Sequence, residues 1–146
     1  MIFALVVVNC AANQSVFLAV QDVQTTMNAA TLTPVKLSSF TAGYSNGAVN
    51  VKWVTSSELD NAGFNLYRTA SAATSFDAKA AEKLNREMIV ARGNATAGAS
   101  YSFTDTNAAP GKTYTYWLQD VSTSGEVSYH QPVVITVPAS SRAPRP

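Results

Sequence analysis

Between residues 49 and 68, apolar and polar side chains change places at every second position. Val49, Val51 and Trp53 alternate with Asn50 and Lys52; after a turn-like stretch over residues 56–63, Phe64 and Leu66 alternate with Asn65 and Tyr67. A period of two sends successive side chains to opposite faces of a pleated strand, so each run predicts a strand with one apolar and one wetted face. A buried Trp covers roughly 150 to 250 Å². Trp53 is therefore expected at the centre of the core, with Phe64 and Leu66 packed against it.

The same alternation recurs on both sides of this stretch. Upstream, Val35, Leu37 and Ser39 alternate with Lys36, Ser38 and Phe40, and Asn46-Gly47 supplies a hairpin turn into the Trp53 strand. Downstream, residues 77–87 are locally charged, and Glu82 and Arg86 stand four apart in the order that favours a helix, so a short surface helix is expected, followed by a strand over residues 87–91. Residues 93–100 read as a loop. Tyr101 and Phe103 then alternate with Ser102 and Thr104, and Pro110-Gly111 turns the chain into a strand over residues 113–121. There Tyr114, Tyr116 and Leu118 face one way, and Thr115, Trp117 and Gln119 the other. Ser124-Gly125 turns into a last strand over residues 126–137, and the Pro-, Ser- and Arg-containing residues 139–146 form a tail. Roughly seven short strands with regular turn signals predict a mainly β, immunoglobulin-like sandwich over residues 35–138.

The first thirty-four residues follow another pattern. No charged residue precedes Asp22, and residues 2–8 are continuously apolar. Val16, Val20, Val23 and Met27 then continue as a helical stripe. A long hydrophobic helix to about Ala30 is expected, ending at Pro34, with a strand over residues 15–20 as the competing assignment. As a helix the stretch to Gln21 would extend ~30 Å, enough to cross a bilayer core. Asn9, Asn13, Gln14 and Ser15 oppose a lipid-facing span, because uncompensated polar groups in hydrocarbon are costly. No basic region precedes the apolar run, as a secretory signal would require. Two explanations stay open: a truncated start, or a basic leader already removed and the apolar run kept.

Composition narrows the function classes. The chain is 47% hydrophobic but only 13% charged, with a net charge of +1 and scattered signs, which provides no footprint for nucleic acid. Cys10 and His130 are the only residues of their kinds, so neither an intrachain disulfide nor a common zinc site is expected. Asp60, Asp105, Asp120 and Glu126 form no catalytic motif. No enzyme activity, cofactor or metal is expected.

Several motifs resemble a known family. Trp53, the Gly-Phe-x-Leu-Tyr-Arg run from Gly63 to Arg68, Ser-Phe-Thr-Asp from Ser102 to Asp105, and Pro-Gly-x-x-Tyr from Pro110 to Tyr114 are similar to the fibronectin type III-like modules of secreted and surface-attached bacterial proteins. The most discriminating part is the run through Trp53, Thr55, Ser57, Glu58, Asn61, Gly63 and Phe64; residues 77–83 look like a small insertion. The resemblance implies an immunoglobulin-like fold, a non-catalytic role and export, and puts Tyr114 at the position whose hydroxyl bonds backbone at the fold's edge. The N-terminal segment resembles the mature helix of the type IV pilin superfamily, archaeal pilins and archaellins included. It departs from bacterial pilins in having Leu5 and no early acid.

Together these readings lead to an expected extracellular, cell-surface filament subunit whose partners are copies of itself, in contact with membrane only before assembly. Ile2, Phe3, Leu5, Val6, Val7, Val16, Phe17, Leu18, Val20 and Val23 are its candidate subunit or membrane contacts. The alternative is a secreted or surface-attached adhesion or spacer module binding proteins or glycans. Tyr67 and Trp117 are expected together on the outer face of a sheet, as a surface interaction pair or as packing beneath a covering segment; for an exposed pair, Trp117→Ala would leave folding nearly intact. Glu58 and Asn61 are expected to brace their loop. Asn94-Ala95-Thr96 is a candidate glycosylation sequon, and Asn13-Gln14-Ser15 is a second one within the apolar segment.

Overall fold

The computed structural model describes residues 35–139. The expected N-terminal helix with its contact residues from Ile2 to Val23, Cys10, the Asn13 sequon and the tail from residue 140 lie outside the described residues. Nine strands occupy the described part: β1 (Val35–Ser45), β2 (Ala48–Glu58), β3 (Asn61–Thr69), β4 (Glu82–Lys83), β5 (Ile89–Val90), β6 (Ser100–Asp105), β7 (Thr113–Ser122), β8 (Val127–Tyr129) and β9 (Val133–Thr136). They form two antiparallel sheets. One is ordered β1-β2-β6; the other is β4-β3-β7-β8, with β5 also on β3 and β9 also on β7.

The β1–β2 hairpin closes at Asn46-Gly47, with φ of 52° and 79°. Positive φ at both central residues is what a type I′ turn demands, and Asn-Gly meets it with little strain. Strand β2 alternates as its sequence predicts, with Val49, Val51 and Trp53 fully buried. The alternation along β1 changes parity. Register shifts on either side of Leu37 bulge the strand, so that Val35 and Leu37 but then Phe40, Ala42 and Tyr44 meet the core. Strict alternation from Val35 would have turned Phe40 outward.

Trp53 stacks on Tyr101 at 5.2 Å between ring centroids and meets Phe64 edge-on at 5.7 Å. Because Trp53 and Tyr101 belong to the first sheet and Phe64 to the second, these rings join the layers. Leu66, Tyr114, Tyr116 and Leu118 complete the expected core set, all buried in one cluster. A polar link also crosses between the layers: Asp105 Oδ2 on β6 accepts from Arg68 Nη1 on β3 and from Tyr116 OH on β7, both at 2.7 Å.

Two sequence expectations are corrected. No helix forms over residues 77–87; one turn over residues 77–81 leads into β4, which pairs with β3. Tertiary bonds outweigh the local Glu82–Arg86 pair, worth only about 0.2 to 0.5 kcal/mol. Glu82 instead binds Arg68 at 2.5 Å. Buried Asn85 accepts from Leu66 N at 2.7 Å and donates to Phe64 O at 3.2 Å and Glu87 O at 2.8 Å, which holds the segment against β3 between β4 and β5. The last predicted strand is also divided. Residues 130–132 interrupt it, and β8 and β9 pair with different parts of β7.

Candidate interaction surface

On the outer face of the larger sheet, Tyr67 of β3 lies opposite Trp117 of β7. The sequence placed both on this face correctly, but Trp117 is only 3% exposed and is not part of an exposed pair. Its cover comes from a segment with no strand structure. Thr115 Oγ1, buried on this face, accepts from Ala73 N at 2.9 Å and donates to Ser71 O at 2.7 Å, which ties residues 71–73 across the sheet. Phe76 then reaches over the sheet, edge-on to Tyr67 at 5.3 Å and to Trp117 at 5.7 Å, and stacks on Tyr129 of β8 at 4.1 Å. Edge-to-face and offset ring pairs of this kind add roughly 0.5 to 1.5 kcal/mol each beyond their buried area.

Polar groups organise the rings. Trp117 Nε1 donates to Thr69 Oγ1 at 3.2 Å. Gln119, buried beside Trp117, donates through Nε2 to Tyr129 OH at 2.6 Å and accepts through Oε1 from Asn65 Nδ2 at 2.8 Å. Burial raises the Tyr129 phenol above its ordinary pKa and the neighbouring Tyr67 adds to this, against the opposing effect of the Gln119 donor. Tyr129 is nevertheless 41% exposed, and Val127 and Val134 along the same edge are 52% and 49% exposed. The result is an aromatic layer whose accessible border is apolar and whose polar groups are occupied internally. It can pack or stack; its groups have no nucleophile with an activating base.

The other side chains singled out from the sequence fall elsewhere. Glu58, at the end of β2, is 3% exposed; it accepts from Thr55 Oγ1 at 2.5 Å, Tyr101 OH at 2.8 Å and Gly93 N at 2.9 Å. Burial acts to raise its pKa, but the hydrogen bonds from Thr55, Tyr101 and the backbone outweigh it and hold the carboxyl below its ordinary value. Asn61 Oδ1 accepts from Gly63 N at 3.2 Å. Both side chains brace the chain where it crosses between sheets. Tyr114 OH accepts from Ala109 N at 2.9 Å, a backbone bond of the kind its motif implies. Asn94 is exposed on the loop between β5 and β6.

No family model matches the chain. No curated protein matches it either. Among solved structures, the chain is similar to the crystal structure of the pectate lyase Pel3 from Pectobacterium carotovorum, at 22% identity and a TM-score of 0.49. The match covers 73% of this chain and spans 28% of that protein's length.

Phe76, Tyr129 and the pair formed by His130 Nε2 and Asp120 Oδ1, 2.9 Å apart, were not foreseen. Phe76 had one signal, being the lone large apolar residue in a polar loop. Tyr129 had another, since it shares with Val127 the outward parity of its strand. Among the described residues no group of three His, Cys, Asp or Glu gathers to hold a metal ion, and no helix is long and apolar enough to cross a membrane.

Proposed function

We propose that this chain is a non-enzymatic structural subunit of an extracellular, pilus-like filament, built from a fibronectin type III-like β domain and an apolar N-terminal segment through which copies polymerise. The observation that carries this reading is a division of labour along the chain. The first twenty-one residues contain no charge. In the β domain, by contrast, two of the buried carboxylates are hydrogen-bonded to structural partners, Glu58 to Tyr101 and Asp105 to Arg68, and the third, Asp120, lies 2.9 Å from His130. A domain whose hydrogen-bonded buried charges serve as braces suits a load-bearing role. In the proposed filament the apolar segments bundle in a dry interior, with Asn9, Asn13, Gln14 and Ser15 bonding between them. A heterologous contact repeated by a screw operation makes the polymer open-ended.

Electron microscopy of material sheared from the surface of producing cells, with antibody labelling, tests the reading. Labelled thin filaments are expected, and removal of Met1–Ala30 is expected to leave a monomeric β domain. A full-length chain that is monomeric in detergent-free buffer would overturn the proposal. The exposed border at Val127, Tyr129 and Val134 supports a second reading, a surface-attached module that binds proteins or glycans. In that case Tyr129→Ala would abolish ligand capture by a chain that never polymerises.

A further inference from the structure

The loop that carries Asn94 is pinned to the β domain at both ends and open to solvent between them. Glu58 N donates to Asn94 O at 2.7 Å, and Thr55 N donates to Ala99 O at 2.9 Å. Glycines make this approach possible: a Cβ on Gly98 would lie 1.8 Å from Thr55 O, and one on Gly93 would lie 2.7 Å from Glu58 Cδ. Residues 94–98, between these anchors, are exposed.

Inside the loop, the Asn94 side chain divides its two functions. Its Oδ1 is the hub of the turn, accepting from Thr96 N at 2.9 Å, Thr96 Oγ1 at 3.1 Å and Ala97 N at 2.9 Å. Among the described residues nothing accepts from its Nδ2. Three other asparagines spend that nitrogen on the fold, Asn50 on Ser45 at 2.9 Å, Asn65 on Gln119 at 2.8 Å and Asn85 on Phe64 O at 3.2 Å, whereas the equally unpartnered Nδ2 of Asn61 is buried. Asn94 thus combines an Asn-x-Thr sequence, an exposed loop tip and an uncommitted amide nitrogen.

We propose that Asn94 is an N-glycosylation site that accepts an oligosaccharide from a lipid-phosphate-linked donor through a membrane oligosaccharyltransferase. In the transfer, Nδ2 forms a bond to the anomeric carbon of the first sugar as the bond from that carbon to the phosphate oxygen breaks. The lipid phosphate leaves with the electron pair, and one amide proton passes to a base of the transferase. The proposal rests on the reading of the chain as exported. Val35 faces Glu58 in the β1–β2 register, and Glu58 N binds Asn94 O, so the glycan stands at the pole of the β domain where β1 begins.

The test is mass spectrometry of the full chain recovered from producing cells. Trypsin releases Asn94 in the peptide from Gly93 to Lys112, which also contains Asn107 outside any sequon as an internal control. The expected result is a sugar mass localised to Asn94 by electron-transfer fragmentation, lost completely in Asn94→Gln and in Thr96→Ala but retained in Thr96→Ser. Thr96→Ala keeps Asn94 and removes a single side-chain donor, so it separates loss of the sequon from loss of the loop. An unmodified peptide from surface material would overturn the proposal, as would a sugar that persists in Thr96→Ala or maps to Ser or Thr. Microscopy of the same preparation separates the two readings: filaments with an unmodified Asn94 refute only the glycan, whereas a glycosylated monomer refutes only the filament.

Discussion

Two residues show how strongly environment overrides type. Trp117 has the outward parity of a surface side chain, yet Phe76 seals it and Thr69 receives its indole proton. Trp117→Ala is therefore expected to cost about 3 to 5 kcal/mol, the range for emptying a buried aromatic site. Urea denaturation of the β domain measures this, and a loss within ~0.5 kcal/mol would return Trp117 to the exposed role its parity suggested. Glu58 makes the opposite point, as a carboxylate in the interior. Its folded-state pKa lies below the ordinary 4.5, so the ionised form stabilises the fold above that pH, and this contribution fades as pH falls through the lower folded value. Unfolding free energies measured downward from about pH 7 to about pH 3 should therefore decline in the acid range, and Glu58→Gln should be less stable at neutral pH with a shallower acid slope. An unchanged slope in the variant would assign the acid sensitivity to other carboxylates.

At the scale of elements, the stretch over residues 77–90 is the instructive case. Its local charge pattern favours a helix by a few tenths of a kcal/mol. Asn85 offers more, because its side chain satisfies Leu66 N, which lies between the stretches of β3 paired by β4 and β5, and also donates to Phe64 O. Leaving a buried backbone group unpaired costs roughly 1 to 3 kcal/mol. Asn85→Ala is accordingly expected to destabilise the domain by about 2 kcal/mol or more and to speed amide exchange at Leu66 ahead of the rest of β3. Uniform exchange along β3 in the variant would show that β4 and β5 hold the edge without it.

For the whole molecule, the two layers are joined by the rings around Trp53 and by Asp105, which holds Arg68 and Tyr116 together. Burial raises the Tyr116 phenol far above its ordinary value, and the Asp105 carboxylate reinforces this. For Arg68, burial works to lower the pKa, but the bonds and charges of Asp105 and Glu82 prevail and raise it. Asp105→Ala removes a partner from an arginine side chain that is only 10% exposed and leaves the Tyr116 hydroxyl unpaired. The expected loss is about 3 to 5 kcal/mol, the usual effect of breaking a buried pair from one side. It is measured by denaturant unfolding followed through both Trp and far-ultraviolet signals, which should remain coincident because both sheets share one core. Separate transitions would mean that the layers unfold independently.

The sequence by itself determined the β class, the hairpin at Asn46-Gly47, the core set of Trp53, Phe64, Leu66, Tyr114, Tyr116 and Leu118, and the loop that displays Asn94. These features were legible because they depend on side-chain parity and on turn residues with special backbone freedom, both of which act over a few positions. Tertiary structure alone decided the bulged parity of β1, the course of residues 82–90 along β3, the break between β8 and β9, and the burial of Trp117 beneath Phe76. Each of these depends on a partner that lies on another strand or loop of the chain. Such a partner can offset a local preference of a few tenths of a kcal/mol with a single buried hydrogen bond or ring contact, and it leaves no periodic trace in the chain.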